Sequence, residues 1–209
     1  MTKPLLHIIA VAYKRFGELK VFIQSWINQT SKNWVLTVIH DGKDQEFDNI
    51  MKEYSQLNPD QIFFFSTCKR YNDYGHTLRD IGIQKSYGEY ILLTNADNYF
   101  IPKTVSYVEE LLIDCLNKPD IIIFDMVHSH ANPGNFRKPS YSYFSVEFEP
   151  LKIDISAALV KTELAKAVGF RNKTFNGDQY YFSDISSYVK SQSDHINVEK
   201  IHSVLLVHN

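Results

Sequence analysis

Asn95 and Asp97 stand at the end of the apolar run Tyr90-Ile91-Leu92-Leu93-Thr94, a spacing suited to handling a cation and an anion together. An apolar strand is a rigid stem, and a carboxylate at its tip can hold a divalent cation against a phosphate without reorganising. Asp97 is therefore the first candidate for chemistry. Asp41 is placed the same way, after Val38-Ile39-His40, and Gly42 lets the backbone turn closely at its carboxylate. That carboxylate could accept the imide N–H of a uracil or the hydroxyls of a ribose. The plainer reading is an Asp-Gly turn that caps the next helix. In Tyr74-Gly75-His76-Thr77-Leu78-Arg79-Asp80-Ile81-Gly82, helical spacing puts Arg79 one turn beyond Gly75, near a helix start that attracts anions such as a diphosphate. The alternative is a surface Arg with an Asp cap. No G-x-G-x-x-G or Gly-Lys-Ser/Thr loop occurs, which disfavours dinucleotide enzymes and P-loop NTPases.

The elements that must position these residues alternate in the first half. Leu5 to Ala12, Trp34 to Ile39, Ile62 to Phe65 and Tyr90 to Leu93 read as buried strands. Helical patterns separate them: Leu19, Phe22, Ile23, Trp26 and Ile27; then Phe47, Ile50, Met51, Tyr54 and Leu57, stopped by Asn58-Pro59; then about Thr77 to Lys85. This rhythm predicts an α/β fold, a mostly parallel central sheet with helices on both faces and right-handed crossovers. Ligands then belong at the carboxyl ends of the strands. The second half predicts a helix through Val105, Val108, Leu112, Cys115 and Leu116, and a strand at Ile121 to Phe124. A polar, aromatic loop or hairpin follows from His128 to Pro150, then a strand at about Ile155 to Val160 and a short helix at Glu163 to Val168 closed by Gly169. A helix through Tyr181, Phe182, Ile185 and Val189 and a final strand, Ile201 to His208, complete the pattern. With no repeat or linker, residues 1–209 read as one domain, a nucleotide-binding half to about 102 and an acceptor-side half beyond.

Composition narrows the class. The 209 residues are 44% hydrophobic with a net charge of −2, which argues against a nucleic-acid footprint. Cys68 and Cys115 are too few for a disulfide scaffold; both read as buried thiols of a reducing compartment, the cytoplasm. Nowhere do roughly 18 apolar residues run together as a membrane span requires, leaving only peripheral membrane association open. Tyr141, Tyr143 and Phe144 offer flat faces for a sugar, whereas Phe63, Phe64, Phe65, Trp26 and Trp34 read as core.

Ala12-Tyr13-Lys14-Arg15, Val38-Ile39-His40-Asp41-Gly42, Arg79-Asp80-Ile81-Gly82, Gly88-Glu89-Tyr90-Ile91-Leu92 and Asn95-Ala96-Asp97-Asn98, taken in order, resemble the GT-A glycosyltransferases of family 2. The resemblance is close over about residues 5 to 102 and loose beyond. It implies a GT-A fold and a metal-assisted, inverting transfer from a nucleoside-diphosphate sugar, UDP-linked, to a glycan or lipid-linked acceptor. It implies Asp41 as the base-binding carboxylate, and Ala12, Tyr13 and Arg15 as the first nucleotide wall. Arg79, Asp80, Asn95 and Ala96 become nucleotide contacts and Asp97 the ligand of Mn²⁺ or Mg²⁺. Asn95 departs from the family pattern, which has an Asp there; an amide keeps a hydrogen-bonding oxygen but loses a charge, weakening the hold on a metal.

The same resemblance makes Asp178, in Asn176-Gly177-Asp178-Gln179, the general base, with Gly177 in place of the family's Glu. An N-cap carboxylate is the competing reading, and Asp184 a weaker substitute. His208 would be a further metal ligand; His202 and the pair His128 and His130 have weaker claims. Two other classes compete: a nucleotide-sugar-binding domain without turnover, which the departures at Asn95 and Gly177 allow, and a nucleotidyltransferase. The missing triphosphate loop after the first strand counts against the latter.

Overall fold

The computed structural model describes residues 3–129, 141–193 and 195–209. β1 (Leu6–Ala12), β2 (Trp34–His40), β3 (Ile62–Ser66) and β4 (Tyr90–Asn95) alternate with α1 (Phe16–Ile27), α2 (Gln45–Leu57) and α3 (His76–Lys85). The strands lie in the order β3-β2-β1-β4, every pairing parallel. β1 and β2 are buried along their whole lengths, which is why they read as continuous apolar runs rather than alternating ones. Right-handed crossovers place α1 and α2 on one face, and the return from β3 past β1 to β4 places α3 on the other. The order reverses between β1 and β4, so a crevice opens at their carboxyl ends.

Side-chain packing agrees with the pattern in most places. Trp26 of α1 lies 4.9 Å from Phe100 and 5.8 Å from Trp34, ring centre to ring centre, and both tryptophans are core as expected. β3 differs because it is an edge strand with β2 as its neighbour. Phe63 is exposed and Phe64 and Phe65 only partly buried, leaving Ile62 as its core residue. Cys68, just after that edge, is exposed, and Cys115 is half-buried, so the expectation of two buried thiols is corrected.

The second half comprises β5 (Tyr99–Phe100), α4 (Thr104–Asp114), β6 (Ile121–Ser129), β7 (Tyr141–Phe144), β8 (Ala158–Lys161), α5 (Thr162–Val168), α6 (Gly177–Gln192) and β9 (Val198–His208). β8 joins β4 antiparallel, β6 follows antiparallel to β8, β9 runs parallel to β6, and β5 closes that edge. Among the described residues, nine strands form one sheet, parallel in its first half and mixed in its second. The excursion after His128 is a hairpin of β6 and β7; His130, Pro133, Gly134 and Pro139 lie outside the described residues. The strand expected from Ile155 starts only at Ala158. A 3-10 turn at Ile155–Ala157 precedes it, opened by the Asp154 carboxylate accepting from Ser156 N at 2.8 Å. β9 pairs His208 opposite His128 and carries it back to the end of β4. No helix among the described residues is long and apolar enough to cross a membrane.

Candidate active site

A cavity of about 240 Å³ occupies the crevice at the ends of β1, β2 and β4. The end of β1 and the turn after it contribute Ala12, Tyr13, Lys14 and Arg15; the loop before α3 contributes Arg70, Asn72, Tyr74 and Gly75; the end of β4 and the turn after it contribute Asn95, Ala96 and Asp97. Asp41 is on the wall. Its role in the fold is not that of a helix cap: Asp44 caps α2 by accepting from Glu46 N and Phe47 N. The two Asp41 oxygens accept from Tyr71 N at 2.7 Å and Asn72 N at 2.9 Å, which fixes the loop. Each oxygen keeps a lone pair for a ligand donor. That loop presents Arg70 over the Tyr13 ring, 3.8 Å from its centre, with Arg70 also donating to Asn72 Oδ1 at 2.7 Å.

Backbone strain marks the β1 turn. Lys14 and Arg15 sit consecutively in the left-handed region, φ 54° and 53°, which costs non-glycine residues roughly 1–2 kcal/mol each. His40 Nε2 accepts from Lys14 N at 3.1 Å while its Nδ1–H donates to Gly42 O, so the imidazole ties the turn to β2. The turn aims Arg15 at the Asp97 carboxylate, with which it forms an ion pair through Oδ2. Asp97 Oδ1 is buried with no hydrogen-bond partner among the described residues. Burial raises the Asp97 pKa, and the Arg15 and His208 charges work in the opposite direction.

Arg79 is not a surface residue. It is 2% exposed and lies behind the cavity wall, donating to Tyr74 O at 2.7 Å, His76 Nδ1 at 3.1 Å and Asn95 Oδ1 at 2.7 Å. Burial pulls its pKa down, and Asp178, Asp154, Asp73 and Asp97 surround it with opposing charge. Asn95 thus uses its amide oxygen to hold Arg79. Burial and the Arg79 charge lower the His76 pKa to about 4, so the ring is neutral. Its Nδ1 accepts from Arg79 and its Nε2–H donates to Thr174 O, which makes the 3.9 Å approach of Asp178 a contact with a neutral ring. Asp80 lies apart from this group: its carboxylate accepts from Phe170 N at 2.8 Å and faces Lys173.

Asp178 occupies the first turn of α6, whose N-cap is Asn176, so the capping alternative for Asp178 does not apply. Its Oδ1 is buried with no hydrogen-bond partner among the described residues, and burial raises its pKa against the Arg79 charge. Gly177 has a steric reason: a Cβ there would stand 2.7 Å from Asn172 O and 2.8 Å from His76 Nε2. The departure from Glu at that position follows from this close docking of α6 on α3. His208 Nε2 lies 3.7 Å from Asp154 Oδ2, and the ring stacks on His128 at 4.6 Å. His202 is exposed on β9.

Arg79, Asn95, Asp97, Asp178 and His208 are therefore electrostatic neighbours at one end of the sheet, with Asp80 turned away. Sequence reasoning missed Asp154, His76, Arg70 and Asn72. Asp154-Ile155-Ser156 carries an Asx-turn signal that could have revealed the first; the others depend on long-range contacts with no local signature. Tyr74 and Phe175, 62% and 77% exposed, meet edge to face at 5.6 Å beside the cavity mouth. Among the described residues, no three His, Cys, Asp or Glu side chains converge as a ready cation cage.

Comparison with known proteins places this geometry. An uncharacterized glycosyltransferase of Rickettsia typhi is 28% identical over 156 residues, 73% of this chain and 45% of its own length. The chain spans less than half the length of the curated relatives it matches. S. aureus TarS 1-349, solved in complex with UDP-GlcNAc, superposes with a TM-score of 0.74 at 15% identity over 99% of this chain and 58% of that one. The mannosyltransferase PcManGT of Pyrobaculum calidifontis, solved with GDP-Man and Mn²⁺, superposes with a TM-score of 0.68 at 14% identity over 100% and 57%. The fold they share with this chain is GT-A. The model of Glycosyl transferase family 2 matches residues 7–176, and the chain belongs to that family.

Proposed function

We propose that the protein is an inverting glycosyltransferase that uses a uridine-diphosphate sugar, with the cavity at the ends of β1, β2 and β4 as its donor site. The observation that carries this reading is Asp97 Oδ1 and Asp178 Oδ1, two of the three carboxylate oxygens near the charge of Arg79, with Asp73 Oδ1, that are buried with no hydrogen-bond partner among the described residues. Two such oxygens are costly to keep in a fold unless they serve a ligand. Tyr13 and Arg70 form a flat wall for a nucleobase, and Asp41 and Asn72 supply polar groups beside it.

The residues fit a divalent cation shared with the donor. Asp97 Oδ1 and His208 Nδ1 are both buried with no hydrogen-bond partner among the described residues, and one carboxylate plus one imidazole would suit Mn²⁺ bound together with a diphosphate. When bound, the cation offsets charge on the leaving diphosphate. Arg15, now paired with Asp97, is placed to move onto the same diphosphate. Asp178 takes the proton of the acceptor hydroxyl as that oxygen attacks the anomeric carbon from the face opposite the diphosphate. Its raised pKa makes it a stronger base than an exposed aspartate.

A thermal-shift panel of nucleoside diphosphates with and without Mn²⁺ tests the donor site. A uridine-selective rise that grows with Mn²⁺ is expected; equal indifference to every nucleotide overturns the reading. Donor hydrolysis by the wild type that disappears in Asp178→Asn separates an enzyme from a domain that only binds.

A further inference from the structure

A second cavity, of about 400 Å³, lies between α6 and the segment from Phe148 to Ile153, and shares no lining residue with the donor site. We propose that this groove is a subsite for the neutral sugar chain of the acceptor, holding residues next to the one that reacts; this rests on the reading of Asp178 as the base.

Position is the first argument. Two lining residues of the groove are chain neighbours of carboxylates in the Arg79 cluster: Ile153 precedes Asp154, and Gln179 follows Asp178. Asp154 and Asp178 feel each other's charge, so the groove starts beside the proposed base. A sugar chain whose terminal hydroxyl meets Asp178 would run along α6, away from the nucleotide.

Chemistry is the second. The floor is apolar, with Phe148 edge-on to Phe182 at 6.0 Å and Ile153 beside them. The α6 wall offers the Gln179 amide and the Ser183 and Ser186 hydroxyls, spaced so that they share one helix face. Sugar rings present C–H faces to aromatic side chains and a rim of hydroxyls to amides and hydroxyls, and this lining offers both. Glu149, on the opposite wall, is paired with Lys152 at 2.9 Å, so the groove carries little unpaired negative charge. Among the described residues Lys190 is the lone basic lining residue, at the far end, too little for a polyanion. A neutral carbohydrate matches this balance better than a phosphorylated chain or a charged peptide.

The test uses the full chain and saturation-transfer NMR with four probes: cellotetraose, chitotetraose, maltotetraose and mannotetraose. At least one should show saturation transfer, with its affinity falling on the order of tenfold in Gln179→Ala. Ser183→Trp, at an exposed helix position, should fill the groove and abolish the signal while leaving the UDP thermal shift intact. Ser187→Trp, one turn further along, serves the same purpose if the first variant does not fold. Absence of transfer from every probe, or transfer that survives both tryptophan variants, overturns the proposal. A UDP response without oligosaccharide binding removes the groove alone, whereas loss of both removes the donor reading as well.

Discussion

At the scale of single residues, Arg79 explains more of the site than any other side chain. A buried guanidinium needs its charge balanced and its donors placed, and here Tyr74 O, His76 and Asn95 take hydrogen bonds from the terminal nitrogens, Nε–H has no partner among the described residues, and carboxylates on several segments balance the charge. Asn95 then reads as a partner of Arg79 and not as a failed metal ligand. Asp178 sits opposite, and its neutralisation should separate chemistry from folding. Asp178→Asn is expected to slow transfer by about 10²–10⁴-fold while the melting temperature holds or rises, because desolvation already disfavours the charged form of this half-buried carboxylate. The same burial sets the pH dependence. The folded protein holds the Asp178 proton more tightly than the unfolded chain does, so this group favours folding as pH falls and opposes it as pH rises through the raised value. The rate should climb with pH along a limb above the ordinary aspartate value of about 3.9, and a kcat-against-pH profile of wild type and variant checks it. Phe175 is the other residue-scale case. Its exposed ring against Tyr74 has no packing reason to be aromatic, so Phe175→Ala should leave the melting temperature unchanged and raise KM for the acceptor or donor.

At the scale of elements, the decisive contact is the docking of the α6 start on the α3 start. Gly75 lets α3 begin against β1, where a Cβ would meet Val11 Cγ2 at 2.7 Å, and Gly177 lets α6 begin against His76 and Asn172. Both approaches place carboxylates and Arg79 within one charge cluster. Adding a methyl at Gly177 must push the helix away from a backbone carbonyl that cannot yield easily. Gly177→Ala should therefore cost about 1–3 kcal/mol and lower the melting temperature by on the order of 5 °C. Transfer should fall by more than that stability loss explains, because Asp178 moves with its helix; calorimetry and single-turnover rates on one preparation measure both. Alternation of strands and helices was legible in the first half because each strand is an apolar run and each helix carries its own stripe. β5 was not legible: two residues hold no period, and they become a strand by lying beside β9.

At the scale of the whole molecule, the acid response depends on histidines locked in their neutral form. His7, 2% exposed on β1, accepts from Tyr87 N at Nδ1 and donates from Nε2 to Thr37 Oγ1. Burial, helped by the Lys166 charge, lowers its pKa to about 4. The unfolded chain takes this proton near pH 6.5 and the folded protein only near 4, so stability is present above that window and is lost as pH falls through it. The loss is on the order of 3 kcal/mol, with His76 adding in the same direction and the raised Asp97 and Asp178 opposing it at the acid end. Urea unfolding at pH 7 and pH 4.5 should show this loss in the wild type and less of it in His7→Gln.

Hydrophobic periodicity carries the parallel strands of the first half, the tryptophan core and the candidate residues Asp41 and Asp97, and the family resemblance adds Asp178. An apolar run must be buried, and a carboxylate at its end, as at Asp41 and Asp97, must face the crevice. Which groups share an electric field depends on contacts made in the folded chain. Folding buried Arg79 behind Asn95, turned Asp80 to Phe170, brought Asp154 to His208 and moved the cap of α2 from Asp41 to Asp44. The physical reason is distance along the chain: His208 and Asp154 are 54 positions apart and meet only because β6, β8 and β9 are woven into one sheet. No window of residues contains that contact.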